Sequence, residues 1–277
     1  MLWTEKMFQI KKPILAMLHL DPLPGDPRFH YGDTMKKVVE HARADLRALQ
    51  DGGVDGIIFS NEFSLPYQRH MDFVTPASMA RVIGELKSEL RVPFGVDCIS
   101  DGAATLELAA AVEADLVRGT FSGVYVGDGG LYDNDFSTLM RRRAALHLEN
   151  LKMLYFINPE SDRNLDTRAL ADIACSTIFK AHPDGLCISA NAAGQDVDEE
   201  LIASVKAKTP EVVVLCNTGC RPDTIVRKLA AGDAAVVGTY FKENGRLENE
   251  RLENVRVDVE RVREFMSVVR QFRETLD

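Results

Sequence analysis

The sequence predicts an α/β fold, a single (β/α)8 barrel of the TIM type, with residues 1–277 as one domain. Three observations point there. Eight short apolar or β-branched runs recur along the chain, each short enough for a strand buried on both faces, as a parallel sheet requires. Helical stretches with recognisable starts separate the runs. No linker, low-complexity segment or shift in composition interrupts the alternation, and α/β barrels commonly hold about 250 residues in one domain.

Taken in order, the first run is Ile14–Leu20. Asp33-Thr34 then starts a helix to Gln50, with Met35, Val38, Val39, Ala42, Leu46 and Leu49 at helical spacing. Gly52-Gly53-Val54-Asp55 is a helix stop and turn into the second run, Gly56–Asn61. Thr75-Pro76 puts proline at a first helical position, ahead of the stripe Met79, Val82, Ile83 and Leu86. The third and fourth runs are Phe94–Cys98 and Leu116–Phe121, the fifth and sixth Met153–Asn158 and Gly185–Ala190. Val212–Asn217 and Ala234–Thr239 complete the set. Asp101, Asp135, Asp166, Asp198 and Asp223 are expected to cap the intervening helices. A last helix, about Asp258 to Thr275, carries Val259, Val262, Phe265, Met266, Val269 and Phe272 on one face.

Charge and cysteine usage narrow the class. With 33 Lys plus Arg against 42 Asp plus Glu, the net charge is -9, which argues against broad contact with nucleic acid or an anionic membrane. The start, MLWTEKMFQIKKP, has charges where a signal peptide needs an unbroken apolar stretch. No run approaches the roughly 18 apolar residues of a membrane span. The five cysteines are odd in number and contain no C-x-x-C pair; Cys98, Cys187 and Cys216 lie in apolar runs and read as small core residues. Cys216 and Cys220 alone make a weak metal site. The expectation is a cytoplasmic protein without nucleic-acid partner or membrane insertion, its self-association left open.

In such a barrel the carboxyl ends of the strands carry function. His19, Glu62, Asp97 and Arg118 are the catalytic candidates there. Glu62 and Asp97 suit acid/base chemistry or a divalent metal ion, the one cofactor the residues suggest. Arg118 suits a developing anion. Each has a structural alternative: a satisfied core histidine for His19, and an ion pair between Asp97 and Arg118. Asn61, Asp128, Asn158 and Ser189 are candidates for substrate contact. Asn217-Thr218-Gly219 and Gly238-Thr239, at consecutive strand ends, are the candidate phosphate cradle of a small phosphorylated substrate. The Gly-rich loop Gly123–Gly130 is expected to be mobile or to cover a ligand. No lysine ends the fifth or sixth run, which disfavours a Schiff-base aldolase unless Lys242 serves. One histidine at a strand end disfavours a His-rich metal site, and no G-x-G-x-x-G, P-loop or nucleophile elbow occurs.

The stretches AMLHLDPLPGDPRF (16–29), GGVDGIIFSNEFSLPY (52–67), VPFGVD (92–97), VRGTFSGVYVGDGG (117–130), HPDGLCIS (182–189), VVLCNTG (213–219) and VVGTYFKENG (236–245) together resemble the BtpA family, and most closely its SgcQ-like branch. The resemblance implies the same barrel. It also implies a choice of functions, since the family takes its name from a cyanobacterial factor for photosystem I accumulation while the SgcQ-like branch is associated with bacterial sugar-uptake gene clusters. The family pattern has Asn where this chain has Asp97. Read together, these lines favour an enzyme of isomerase, lyase or aldolase type on a small phosphorylated sugar or polyol. The alternatives are a non-catalytic assembly factor and a phosphohydrolase.

Overall fold

The computed structural model describes residues 1–192, 194–250 and 253–276. Its strands, in chain order, are β1 (Ile14–His19), β2 (Gly56–Ser60), β3 (Phe94–Asp97), β4 (Leu116–Gly119), β5 (Val124–Gly127), β6 (Gly130–Asp133), β7 (Lys152–Asn158), β8 (Arg163–Asn164), β9 (Gly185–Ile188), β10 (Val213–Cys216) and β11 (Ala234–Val237). Eight of them close into a parallel barrel in the order β1-β2-β3-β4-β7-β9-β10-β11. The predicted fold is therefore observed, with every ladder except β7 one or two residues shorter than its apolar run; β7 starts one residue earlier, at Lys152.

The helices are α1 (Trp3–Phe8), α2 (Met35–Gly52), α3 (Val74–Leu86), α4 (Gly102–Val112), α5 (Phe136–Ala145), α6 (Leu170–Ala181), α7 (Glu199–Lys208), α8 (Ile225–Ala231) and α9 (Val259–Glu274). Thr34, Asp101, Asp135, Asp198 and Asp258 accept backbone N–H groups at their helix starts. Two expected caps are not formed. Asp166 turns to the backbone and guanidinium of Arg168, and α6 begins only at Leu170. At α8, the Thr224 hydroxyl rather than Asp223 accepts from the chain, taking the Arg221 N–H. Pro76 is the third residue of α3, so that helix starts earlier than proline placement suggested.

Period-two alternation divides the core. Along β1, Ile14, Ala16 and Leu18 face the helices, while Leu15 and Met17 fill the barrel with Ile58, Leu116, Leu154, Phe156, Cys187, Val213, Leu215, Ala234 and Val236. The floor of that interior is covered by Leu2, Trp3, Met7 and Phe8 of α1 and its lead-in, an element the periodicity did not announce. The Trp3 indole N–H donates to the Asp184 carbonyl at 2.8 Å, which locks the plug. At β3 only glycine fits at position 95, because a Cβ there would stand 2.3 Å from Leu116 Cδ1.

The Gly-rich loop is structured. β5 and β6 form an antiparallel hairpin that β8 extends to three strands. Buried Tyr125 reaches back to the Phe156 carbonyl at 3.4 Å, anchoring the hairpin to the mouth of the barrel. Among the described residues no helix is long and apolar enough to cross a membrane.

Candidate active site

Alternation carried one step past the packed interior decides which side chains face the mouth. The inward sets continue Leu15, Met17 to His19 on β1; Leu116 to Arg118 on β4; Leu154, Phe156 to Asn158 on β7; and Leu215 to Asn217 beyond β10. Register then levels them: His19 pairs Ser60, and Ser60 pairs Asp97. Polar groups are thus stacked directly on the apolar barrel interior, where burial shifts their proton affinities.

Arg118 is the hub. It is 5% exposed; its Nε donates to Asp97 Oδ2 at 2.9 Å, and its Nη2 stands 2.9 Å from the same oxygen as an ion pair. Its Nη1 donates to Asn217 Oδ1 at 3.0 Å, and the Asn217 amide donates onward to Ser189 Oγ at 3.1 Å. The guanidinium carbon lies 5.0 Å from the centre of the Phe156 ring. This is the structural alternative for Asp97, realised: its carboxylate is engaged by a cation, so it is a poor metal ligand. Among the described residues no three His, Cys, Asp or Glu side chains converge as a metal site. Asp97 thus anchors Arg118.

Glu62 is a carboxyl with a strongly raised proton affinity. Burial, with the neighbouring negative charges of Glu160 and Asp97, pushes it up from 4.5 to about 7, while Arg118 pulls the other way. His19 Nε2 lies 3.9 Å from Glu62 Oε2. Burial first, then the charges of Lys242 and Arg118, hold the imidazole well below its usual range, so it is neutral at pH 7. Its Nδ1 is buried without a protein partner. Gly238 lets this ring sit against β11, since a Cβ there would be 2.7 Å from His19 Cε1.

Two cavities open here and share Glu62, Arg118 and Glu160. The first, about 270 Å³, is also lined by His19, Asn217, Thr218, Gly219, Gly238, Thr239 and the cations Arg221 and Arg261. Thr218 Oγ1 accepts the Ala190 N–H at 2.8 Å, fixing the loop after β10. Thr239–Phe241 is a 3-10 turn, whose first N–H groups have no intrahelical acceptor. Arg261 donates to the Tyr240 carbonyl at 2.8 Å and stacks on that ring at 4.2 Å. The second cavity, about 440 Å³, adds Asp97, Asp128, Tyr67, Tyr132 and Phe156 beneath the hairpin.

All five cradle residues, together with His19, Glu62 and Arg118, therefore line one cavity. Asp128 stands at the hairpin end of the other. Asn61, Asn158 and Ser189 line neither. Asn61 Oδ1 accepts the Ile99 N–H at 2.9 Å, and Asn158 bonds both backbone groups of Ser189, so these amides brace βα loops instead. Lys242 is wholly buried against Asp45 and Asn254, and no lysine lines either cavity among the described residues. Glu160, Arg221 and Arg261 also line the first cavity. Glu160, two residues past β7, is among the polar residues that strand-end position singles out; Arg261, on the last helix, had no signal.

The sequence profile of the BtpA family matches residues 10–271. The chain belongs to the BtpA family. It is 40% identical over 273 residues to the putative sgc region protein SgcQ of Escherichia coli K12, covering 99% of this chain and all of that one. The photosystem I biogenesis protein BtpA of Synechocystis is 29% identical over 246 residues, 87% of this chain and 84% of the relative. Among solved structures, the (S)-3-O-geranylgeranylglyceryl phosphate synthase of Thermoplasma acidophilum aligns with a TM-score of 0.61 at 14% identity, over 97% of both chains. Phosphoribosyl anthranilate isomerase of Thermus thermophilus aligns with a TM-score of 0.55 at 10% identity, over 94% of this chain and 98% of that one. At such identities these likenesses concern the barrel.

Proposed function

We propose that this member of the BtpA family is an enzyme acting on a small phosphorylated sugar or polyol, moving a proton at a carbon held beside Glu62. One observation carries the reading: a carboxyl whose proton affinity burial lifts to near neutrality, two arginines and the loops after β10 and β11 line the same small cavity. The phosphate lies against the loops after β10 and β11, between Arg221 and Arg261. The carbon skeleton then extends toward Glu62 and Arg118.

Each residue has a defined task. Glu62, half-ionised near pH 7, takes the proton as general base and returns it as acid. Arg118, held by Asp97 and Asn217 before substrate arrives, meets the negative charge that develops on oxygen. Neutral His19 donates or accepts a hydrogen bond at a substrate hydroxyl. Glu160 raises the proton affinity of Glu62 and is itself pushed up by burial, which suits it to a second proton transfer. The absence of a lining lysine among the described residues favours an enediolate-type route over a Schiff base. The name of the cyanobacterial relative supports a second reading, a barrel kept for assembly without turnover.

A deuterium-exchange screen tests the choice. Triose, pentose and hexose phosphates are incubated with the protein in D2O and followed by proton NMR. The reading requires loss of one substrate C–H signal with the wild type and none with Glu62→Gln. If no phosphorylated ligand exchanges, isomerises or raises the melting temperature, the assembly reading takes its place.

A further inference from the structure

We propose that Cys216 and Cys220 form a reversible intrachain disulfide across the phosphate loop, making a redox modification site that is reached from the substrate cavity and shielded by bound phosphate. The proposal rests on the phosphate placement given above.

Both thiols are free and buried, and their sulfur atoms lie 3.3 Å apart. A disulfide needs about 2.05 Å, so the sulfurs must close by roughly 1.2 Å. Only Asn217, Thr218 and Gly219 separate the two cysteines, and these are the loop that faces the phosphate. The turn depends on Gly219, which has φ +64, and a Cβ there would sit 2.2 Å from the Gln195 carbonyl oxygen. Cys216 ends β10, and Cys220 lines the cavity itself, so a small oxidant has a path to the pair.

The surroundings favour a thiolate. The wholly buried Lys228 ammonium donates to the Thr218 and Gly219 carbonyls at 3.3 and 2.9 Å and pairs with Asp196. The hydrogen bond from Cys220 pulls the Cys216 thiol below its usual range against the cost of burial, and Lys228 adds to it.

With a peroxide as oxidant the step balances. One thiolate attacks a peroxide oxygen, the O–O bond breaks, and a sulfenic acid and hydroxide form. The second sulfur displaces that sulfenic oxygen, closing the S–S bond. Two thiols and one hydrogen peroxide thus yield one disulfide and two waters, the sulfurs losing two electrons in all. Contraction of the ring pulls on Asn217 and Thr218, which hold Arg118 and the Ala190 N–H. The oxidised loop therefore loses its fit to phosphate.

The test oxidises the full chain with hydrogen peroxide, with and without inorganic phosphate, and maps the tryptic peptides that contain the two cysteines. Loss of two hydrogens from the pair, reversed by dithiothreitol and slowed by phosphate, is expected. Phosphate affinity should fall about tenfold on oxidation, the cost of one hydrogen bond to a charged group. Cys216→Ser, with Cys216→Ala as a second variant, should bind phosphate but resist this loss. Cysteines that keep their hydrogens, or variants as sensitive as wild type through exposed Cys175, overturn the proposal. Disulfide formation in a protein whose reduced form binds no phosphate would instead remove the functional reading and leave the dithiol standing.

Discussion

Glu62→Gln should make the protein more stable and inactive at once. Glu62 takes its proton at about 7 in the folded chain against 4.5 when unperturbed. A raised acid pKa means that the folded state holds its proton more tightly than the unfolded state. Stability contributed by this group is therefore intact below about pH 4.5 and is lost as pH rises through about 7. At 1.36 kcal/mol for each tenfold change in proton affinity, the full effect is about 3 kcal/mol of destabilisation at alkaline pH. The neutral amide of the Glu62→Gln variant cannot ionise and escapes it. The stability gap between variant and wild type should widen by about 2 kcal/mol between about pH 5.5 and about pH 8.5. Glu160, which is pushed up by burial and by negative charge nearby, moves in the same direction. Urea unfolding of both proteins across this range reads the gap directly. A constant gap, or a wild type more stable than the variant at the alkaline end, would refute the buried-carboxyl argument and with it the choice of proton carrier.

Three further outcomes follow from the same geometry. Arg118→Met leaves Asp97 buried without its partner and should cost about 3–5 kcal/mol in urea unfolding, while adding Asp97→Asn recovers most of it; equal stabilities of the single and double variants would contradict this. Arg221→Ala and Arg261→Ala should each weaken inorganic phosphate about tenfold by calorimetry, more at low salt, and unchanged affinity in both would move the phosphate elsewhere. Trp3→Ala should cost about 2–3 kcal/mol by uncovering the barrel floor, with phosphate affinity unchanged because the plug lies at the opposite end from the cradle.

The fold and part of the site were legible because both rest on short-range periodicity. Alternation that buries Leu15 and Met17 in the barrel places His19 at its mouth, and the same count places Arg118 and Asn217. The rule that strand ends carry function singled out residues that the structure gathers around one cavity. It failed where an amide had local work. Asn61 and Asn158 stand at strand ends as expected, but their hydrogen bonds are spent on the backbone of adjacent loops. Asp166 and Asp223 failed as caps for a similar reason, since each helix starts further along the chain, at Leu170 and Ile225, and puts its N–H groups out of reach. The strands of the β5–β6 hairpin were masked by its glycines; the segment, expected to be mobile or to cover a ligand, stands over the second cavity as a hairpin with Gly130 at φ +97 at its turn.

Sequence by itself determined the barrel and the plane of its mouth. These follow from which residues must be buried and from the two-residue repeat of a strand. Only the tertiary structure decided the chemistry within that plane. Closing the barrel brings Asp97 onto Arg118 and buries Glu62 beside Glu160, so that desolvation first and the neighbouring charge second lift its proton affinity toward neutrality. It carries Arg261 from the last helix to the cradle and sets Cys216 against Cys220 behind it. Burial and Coulomb energy depend on distance through space, which strand periodicity does not encode.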